Sequence, residues 1–141
     1  MFKTIVMAVD GSPAVERLLV YGEHMARRTD AQIVVVHAFE LPAVYEWTEA
    51  YAELRSRFEQ VANEVVDDAV DALRKAGIQA TGDVREGPAA PAILEALRVH
   101  QADLVIMGSR AQKRDTVTET LLGSVSSAVL RHTYIPALIV P

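Results

Sequence analysis

The chain contains no cysteine, which excludes disulfides, thiolate metal sites and cysteine nucleophiles. It also lacks any apolar run near the ~20 residues that a membrane-spanning helix needs. The apolar stretch at the N-terminus is too short for a signal peptide and meets Asp10 at once. These absences favour a cytoplasmic protein that does not contact a membrane.

The chain has fewer basic than acidic residues, 14 Lys and Arg against 19 Asp and Glu, which gives a formal net charge of −5. A modestly acidic chain is a poor general binder of nucleic acid, so we expect no nucleic-acid partner. The length of 141 residues, of which 50% are hydrophobic, predicts one globular domain over residues 1–141.

Short apolar runs alternate with segments of helical periodicity. Because strands that alternate with helices pair in parallel, the order predicts an α/β fold, a single doubly wound parallel sheet with helices on both faces. The five predicted strands cover residues 4–9, 33–38, 79–84, 104–107 and 137–140.

Capping residues and apolar spacing predict the helices. Ser12 is expected to be the N-cap of the first helix, with Pro13 at its first position. A fourth helix is predicted over residues 124–131, and residues 41–48 fit either a loop or an irregular helix start. The second helix is long, ends at Gly77, and has a predicted apolar face of Trp47, Tyr51, Leu54, Phe58, Val61, Val65, Ala69 and Leu73.

Two Gly-Ser pairs, Gly108-Ser109 and Gly123-Ser124, flank a polar connection that is rich in basic residues. Gly-Ser at a helix start presents backbone N–H groups to an anion, usually a phosphate. In a doubly wound sheet, ligands bind beyond the strand ends where the winding reverses. That position would bring this connection beside the turn at residues 10–13, between strands one and four.

Six segments of the chain together form a recognisable family pattern. They are Ile5-Val6-Met7-Ala8-Val9-Asp10-Gly11-Ser12, Val36-His37-Ala38, Glu86-Gly87-Pro88-Ala89, Met107-Gly108-Ser109, Leu121-Leu122-Gly123-Ser124-Val125-Ser126 and Ile135-Pro136-Ala137-Leu138-Ile139-Val140. In these segments the chain resembles the universal stress protein family over nearly its whole length. The resemblance implies a five-stranded parallel sheet in the order 3-2-1-4-5 and a homodimer formed through the last strand, Ala137–Val140.

Members that bind ATP resemble the pattern G-x2-G-x9-G-[S/T]. Gly108 and Gly123-Ser124 match its ends, Ala111 replaces the middle glycine, and 11 residues rather than nine follow it, residues 112–122. If that position is left-handed, alanine costs roughly 1–2 kcal/mol more than glycine. One charge-assisted contact to phosphate, worth roughly 1.5–3 kcal/mol, would offset this cost. The cations available in the connection are Arg110, Lys113 and Arg114.

The resemblance therefore implies a cleft that binds ATP or AMP, with Mg²⁺ accompanying the nucleotide. Residues expected to face the adenosine are Ala8, Asp10 and Ala38. Residues expected to surround the phosphates are Gly108, Ser109, Arg110, Ala111, Gly123, Ser124, Val125 and Ser126.

Alternatives stay open for several residues. Asp10 could hold a ribose hydroxyl or Mg²⁺, or its carboxylate could bond its own turn. Ser124 and Ser126 could donate to phosphate or simply cap a helix, and His37 fits a structural histidine. Because a Walker P-loop is absent, we expect a binding protein whose ATP hydrolysis would be slow and incidental. A dimeric adaptor that needs no nucleotide is the competing hypothesis.

Overall fold

The computed structural model of the chain describes residues 1–109 and 122–141. Strands and helices alternate along these residues, and a short 3₁₀ helix, Ala43–Tyr45, precedes the longest α-helix. The elements are β1 (Thr4–Ala8), α1 (Val15–Thr29), β2 (Gln32–Phe39), α2 (Tyr51–Lys75), β3 (Ala80–Glu86), α3 (Ala89–Val99), β4 (Leu104–Gly108), α4 (Ser124–His132) and β5 (Ala137–Val140).

The five strands form one parallel sheet in the order β3-β2-β1-β4-β5. The register places Ile5 of β1 beside Ile33 of β2 on one side and beside Leu104 of β4 on the other. The chain winds outward from β1 to β3 and then returns to the other side of β1. The predicted α/β sheet is confirmed, and its winding reverses between β1 and β4.

The sheet is buried on both faces, which explains the continuous apolar runs of its inner strands. Because successive side chains point to opposite faces, β1 contributes to two cores. Ile5 and Met7 pack with buried residues of α1 and α2. Val6 and Ala8 pack with buried residues of α3 and α4.

The predicted start of the first helix is wrong. Its N-cap is Ala14 rather than Ser12, and Val15 rather than Pro13 is its first residue. A turn precedes the helix, in which the N–H of Val15 donates to the carbonyl of Ser12 at 3.2 Å. The α-helix begins later because the bonds before it join residues three apart, as from the N–H of Glu16 to the carbonyl of Pro13 at 3.3 Å, and the first bond between residues four apart runs from Leu18 to Ala14.

The apolar face predicted for α2 is correct only at its C-terminal end. Ala69 and Leu73 are buried, whereas Trp47 is 92% exposed and Val61 is 59% exposed. The helix is longer than the sheet that it covers, because its 25 residues span about 37 Å. No residue of α2 before Ala62 is buried. Within the described residues, no helix is both long and apolar enough to cross a membrane.

Candidate functional site

A cleft of about 850 Å³ opens at the carboxyl ends of β1 and β4, where the winding reverses. Arg110 and Ala111 lie outside the described residues, as do Lys113 and Arg114. Every other predicted site residue lines this cleft: Ala8, Asp10, Ala38, Gly108, Ser109, Gly123, Ser124, Val125 and Ser126. The predicted convergence is confirmed for the turn at residues 10–13 and for the two described ends of the connection, Gly108-Ser109 and Gly123-Ser124.

Small residues at the strand ends form the floor of the cleft. Ala8 ends β1, Ala38 lies near the end of β2, and Gly108 ends β4. The strands remain paired just beyond Ala8, since the N–H of Val9 donates to the carbonyl of Val36 at 2.9 Å. At these three positions a flat ligand can therefore approach the strand backbone closely.

The turn after β1 forms one wall of the cleft. Asp10 is exposed, and its Oδ1 accepts a hydrogen bond from the N–H of Ser12 at 2.9 Å. The hydroxyl of Ser12 accepts from the N–H of Ala14 at 3.3 Å. The carboxylate therefore does bond its own turn, and this bond also fixes where the rest of the carboxylate stands at the cleft.

The first turn of α4 forms the facing wall. Gly123 is its N-cap, and the N–H of Gly123 donates to the carbonyl of Ser109 at 2.6 Å. The N–H of Ser109 in turn donates to the carbonyl of Val140 at 3.0 Å. The amides of the first helical turn have no carbonyl one turn earlier within the helix. Those of Ser124, Val125 and Ser126 therefore present the positive end of the helix dipole at the cleft.

Ser126 has a positioning role that its sequence position does not show. Its side chain is buried, and its hydroxyl donates to the carbonyl of Gly108 at 2.5 Å. That bond uses the one hydroxyl proton, so Ser126 can offer a ligand its backbone N–H but not its O–H. Neither Ser126 nor the exposed Ser124 is the helix cap, because Gly123 fills that position.

His37 also lines the cleft and is half-buried. Its Nδ1 lies 2.7 Å from the carbonyl oxygen of Val9. Since a carbonyl only accepts, Nδ1 carries the proton and the ring links β2 to the end of β1. The expectation that His37 is a structural histidine with a partner is confirmed.

Several lining residues were not predicted, and three of them lie in helices that flank the strand ends. They are Leu18 of α1 and Ala89 and Ile93 of α3. Ala89 belongs to the Glu86-Gly87-Pro88-Ala89 segment, which the family resemblance singled out. The sequence therefore marked this segment without indicating that Ala89 lines the cleft. Among the described lining residues, Asp10 is the only one with a charged side chain.

The described part of the chain holds no group of three or more His, Asp or Glu side chains placed to bind a metal ion. A cation at the cleft would find Asp10 as the one carboxylate side chain among the described lining residues. The strand ends and the α4 N-terminus thus supply backbone amides and small residues, with a single acidic side chain. Such a site suits a ligand that is anionic at one end and flat at the other.

Comparison with known proteins agrees with this geometry. The model of the universal stress protein family matches residues 1–141. The universal stress protein in the QAH/OAS sulfhydrylase 3′ region of Thermus aquaticus is 33% identical over 147 residues, which cover 99% of this chain and 99% of that protein. Two solved structures share the fold at lower identity.

The first is a universal stress protein in complex with cAMP, with a TM-score of 0.75 and 23% identity over 99% of this chain and 97% of that chain. The second is the universal stress protein of Archaeoglobus fulgidus in complex with dAMP. Its TM-score is 0.71 and its identity 21%, over 99% of this chain and 98% of that chain.

Proposed function

Because this chain belongs to the universal stress protein family, we propose that residues 1–141 form one domain that binds an adenine nucleotide. The nucleotide, ATP or AMP, occupies the cleft between the ends of β1 and β4. The protein then acts in the cytoplasm as a homodimeric regulator in the stress response, and binding rather than catalysis is its activity.

The convergence of two walls on one cleft carries this proposal. The turn at Asp10 and the first turn of α4 are more than 100 residues apart in sequence and line the same space. The volume of about 850 Å³ falls within the roughly 300–1,000 Å³ typical of small-molecule sites. A helix N-terminus alone would not indicate a nucleotide, but here it faces a carboxylate across a floor of small residues.

Each part of an adenine nucleotide has a complementary group in this cleft. The amides of Ser124, Val125 and Ser126 would bind a phosphate without any side-chain cation. Ala8 and Ala38 leave room for the adenosine against the strand ends. Asp10 would accept a hydrogen bond from a ribose hydroxyl or supply one oxygen to Mg²⁺, whose other ligands would be phosphate oxygens and water.

The complexes of the two structural neighbours with cAMP and dAMP support an adenine nucleotide as the ligand. A simple hydrolytic role is not favoured, because the described lining residues include no nucleophile paired with a general base. The competing hypothesis is a dimeric adaptor of the same fold that needs no nucleotide.

Calorimetric titration of ATP, AMP and cAMP with Mg²⁺ tests the proposal, together with the variant Gly123→Val. Gly123 has φ −73° and ψ 172°, an extended conformation that valine adopts without strain. The variant should therefore fold, while its branched side chain at the α4 N-terminus blocks the phosphate. We expect at least a tenfold loss of affinity.

Ala72→Val is the matched control, since it adds valine to an exposed position of α2 away from the cleft. The control should bind as the unchanged protein does. Absence of binding heat and of any thermal shift with all three nucleotides would reject the proposal and favour the adaptor.

A further inference from the structure

The β3 edge of the sheet is unpaired in the described part of the chain, since β3 pairs with β2 alone. The N–H of Ile33 donates to the carbonyl of Gln79, and the N–H of Gly87 donates to the carbonyl of Phe39. In a parallel ladder, alternate residues bond to the neighbouring strand. The backbone groups of Gly82 and Val84 therefore point outward from the sheet.

Within residues 1–109 and 122–141, a side chain covers the beginning of this edge. The guanidinium Nε of Arg74 donates to the carbonyl of Ala80 at 3.0 Å, which satisfies the first outward carbonyl. Beyond it, the outward groups of Gly82, Val84 and Glu86 form a short segment able to pair with an added strand. Natural proteins usually protect such an edge or use it for binding.

A groove of about 450 Å³ runs beside this segment, between β3 and α2. Gly82 forms part of its floor. Glycine is needed there because α2 packs closely: a Cβ at this position would stand 2.4 Å from Cγ1 of Val66. The outward backbone groups and the groove are thus adjacent features of one surface, which we call the β3 groove.

The β3 groove is acidic. Three carboxylates line it, those of Glu59, Asp67 and Glu86, against the single guanidinium of Arg55. Arg55 is already paired, at 2.6 Å with Glu86 and at 3.3 Å with Glu59. Asp67 is exposed and has no ion pair within the described residues. Residues 58–73 of α2 contain five acids and no Lys or Arg.

We propose that the β3 groove binds an extended basic segment of a partner protein, which pairs as an additional strand with β3. Side chains of an added strand alternate between the two faces of the sheet, about 6.6–7 Å apart on one face. Lys or Arg at alternate positions would reach Asp67 and Glu86, while the backbone pairs with Gly82 and Val84. Charge complementarity favours a basic segment over a second copy of the chain. Pairing of two β3 edges would bring the carboxylates of two acidic grooves together.

The test uses a labelled seven-residue peptide of alternating lysine and valine, acetylated and amidated, titrated by fluorescence anisotropy with the full chain. Two further peptides carry N-methyl groups on alternate amides, one set on the odd and one on the even positions. N-methylation removes the donors on one side only. We therefore expect one of the two peptides to lose at least tenfold in affinity and the other to bind as the parent does.

Charge-reversal variants test the groove itself. Asp67→Lys should lower the affinity for the parent peptide about fivefold or more, because it places a cation where a peptide lysine would pair with the Asp67 carboxylate. Asp68→Lys is the matched control, since it makes the same change of net charge on the neighbouring exposed residue outside the groove. The control should change affinity less than twofold, and thermal unfolding checks that both variants are folded.

Four outcomes would overturn the proposal. The first is failure of the parent peptide to bind at millimolar concentration, and the second is equal binding of the two N-methylated peptides. Equal effects of Asp67→Lys and Asp68→Lys would reduce the interaction to general charge attraction. A change in assembly mass on Asp67→Lys with unchanged peptide binding would assign the edge to a second copy of the chain.

Discussion

Ser126 links the end of β4 to the first turn of α4 through its bond to the Gly108 carbonyl. We expect Ser126→Ala to remove that bond and lower the free energy of unfolding by about 1 kcal/mol, the usual net value of such a bond. Nucleotide affinity should fall several-fold, because the helix amides lose their fixed position over the cleft. Urea unfolding and calorimetric titration measure the two effects.

Ser124→Ala is the control for this prediction. Ser124 is exposed at the first position of α4, and among the residues that the structure describes no side-chain hydrogen bond caps this helix. Its substitution should leave the free energy of unfolding within about 0.5 kcal/mol of the unchanged protein. If Ser124→Ala weakened nucleotide binding more than Ser126→Ala, a hydroxyl contact at Ser124 would replace the positioning role assigned to Ser126.

Individual roles were harder to predict from the sequence than the location of the site. The positions of Asp10 and Gly123 relative to their strands placed both at the cleft. The bond that commits the Ser126 hydroxyl to Gly108 depends on how β4 and α4 pack, which no local pattern encodes. Likewise, Ser12 has the composition of an N-cap but bonds within a preceding turn, because Gly11 and Asp10 determine the backbone there.

Among the elements, β3 and α3 are joined by a half-buried polar cluster. Asp83 of β3 accepts hydrogen bonds from His100 Nε2 at 2.7 Å and from Arg85 Nη2 at 2.9 Å. Burial alone raises the pKa of Asp83, but the hydrogen bonds from His100 and Arg85 together outweigh burial and hold this pKa below its ordinary value. The cluster therefore stabilises the fold only while the carboxylate is ionised.

The sign of the pH dependence follows from linkage. A carboxyl whose pKa is lowered by folding contributes its full stability above the unfolded pKa of about 4 and loses it as the pH falls through the lowered native value. We expect Asp83→Asn to reduce the free energy of unfolding by about 1–2 kcal/mol at pH 7. The difference from the unchanged protein should shrink below pH 4, as measured by urea unfolding.

Asp71→Asn provides the comparison, because Asp71 is exposed on α2 and its loss should have little effect at either pH. A deficit for Asp83→Asn that stayed constant from pH 7 to pH 3 would contradict the electrostatic origin of this stability.

The inner strands were predicted well because burial on both faces of the sheet produces continuous apolar runs, and β5 was predicted at its observed bounds, Ala137–Val140. The buried face of α2 was predicted poorly. Its packing depends on Gly82, which lets Val66 approach β3, and a contact between residues of two elements does not appear in the periodicity of either one.

The whole molecule has a second sheet edge, β5, which pairs with β4 alone among the described residues. Exposed apolar side chains, Leu130 and Tyr134, lie on the chain just before it. The family resemblance implies pairing of two copies through this strand, and an isologous two-fold interface would cover both edges. Dimer formation through β5 is part of the proposed function.

The variant Ala137→Pro tests this interface. The bond from Val105 N–H to the Pro136 carbonyl implies that the N–H of Ala137 points outward, so proline removes a donor from the free edge and keeps the ladder to β4. We expect light scattering to give twice the chain mass for the unchanged protein and one chain mass for the variant. Nucleotide affinity should be retained.

Val84→Pro makes the equivalent change on the opposite edge of the sheet and should leave the dimer intact. Dissociation by Val84→Pro, or a monomeric unchanged protein at micromolar concentration, would contradict pairing through β5.

The separation of the two cleft walls along the chain has a consequence for synthesis. The Asp10 turn leaves the ribosome early, but its counterpart at Ser124 follows more than 100 residues later, and β4 must insert beside β1 before the two meet. The cleft therefore cannot form on a nascent chain until α4 has emerged. Any protection that the proposed nucleotide gives against proteolysis would distinguish chains folded beyond α4 from those that are not.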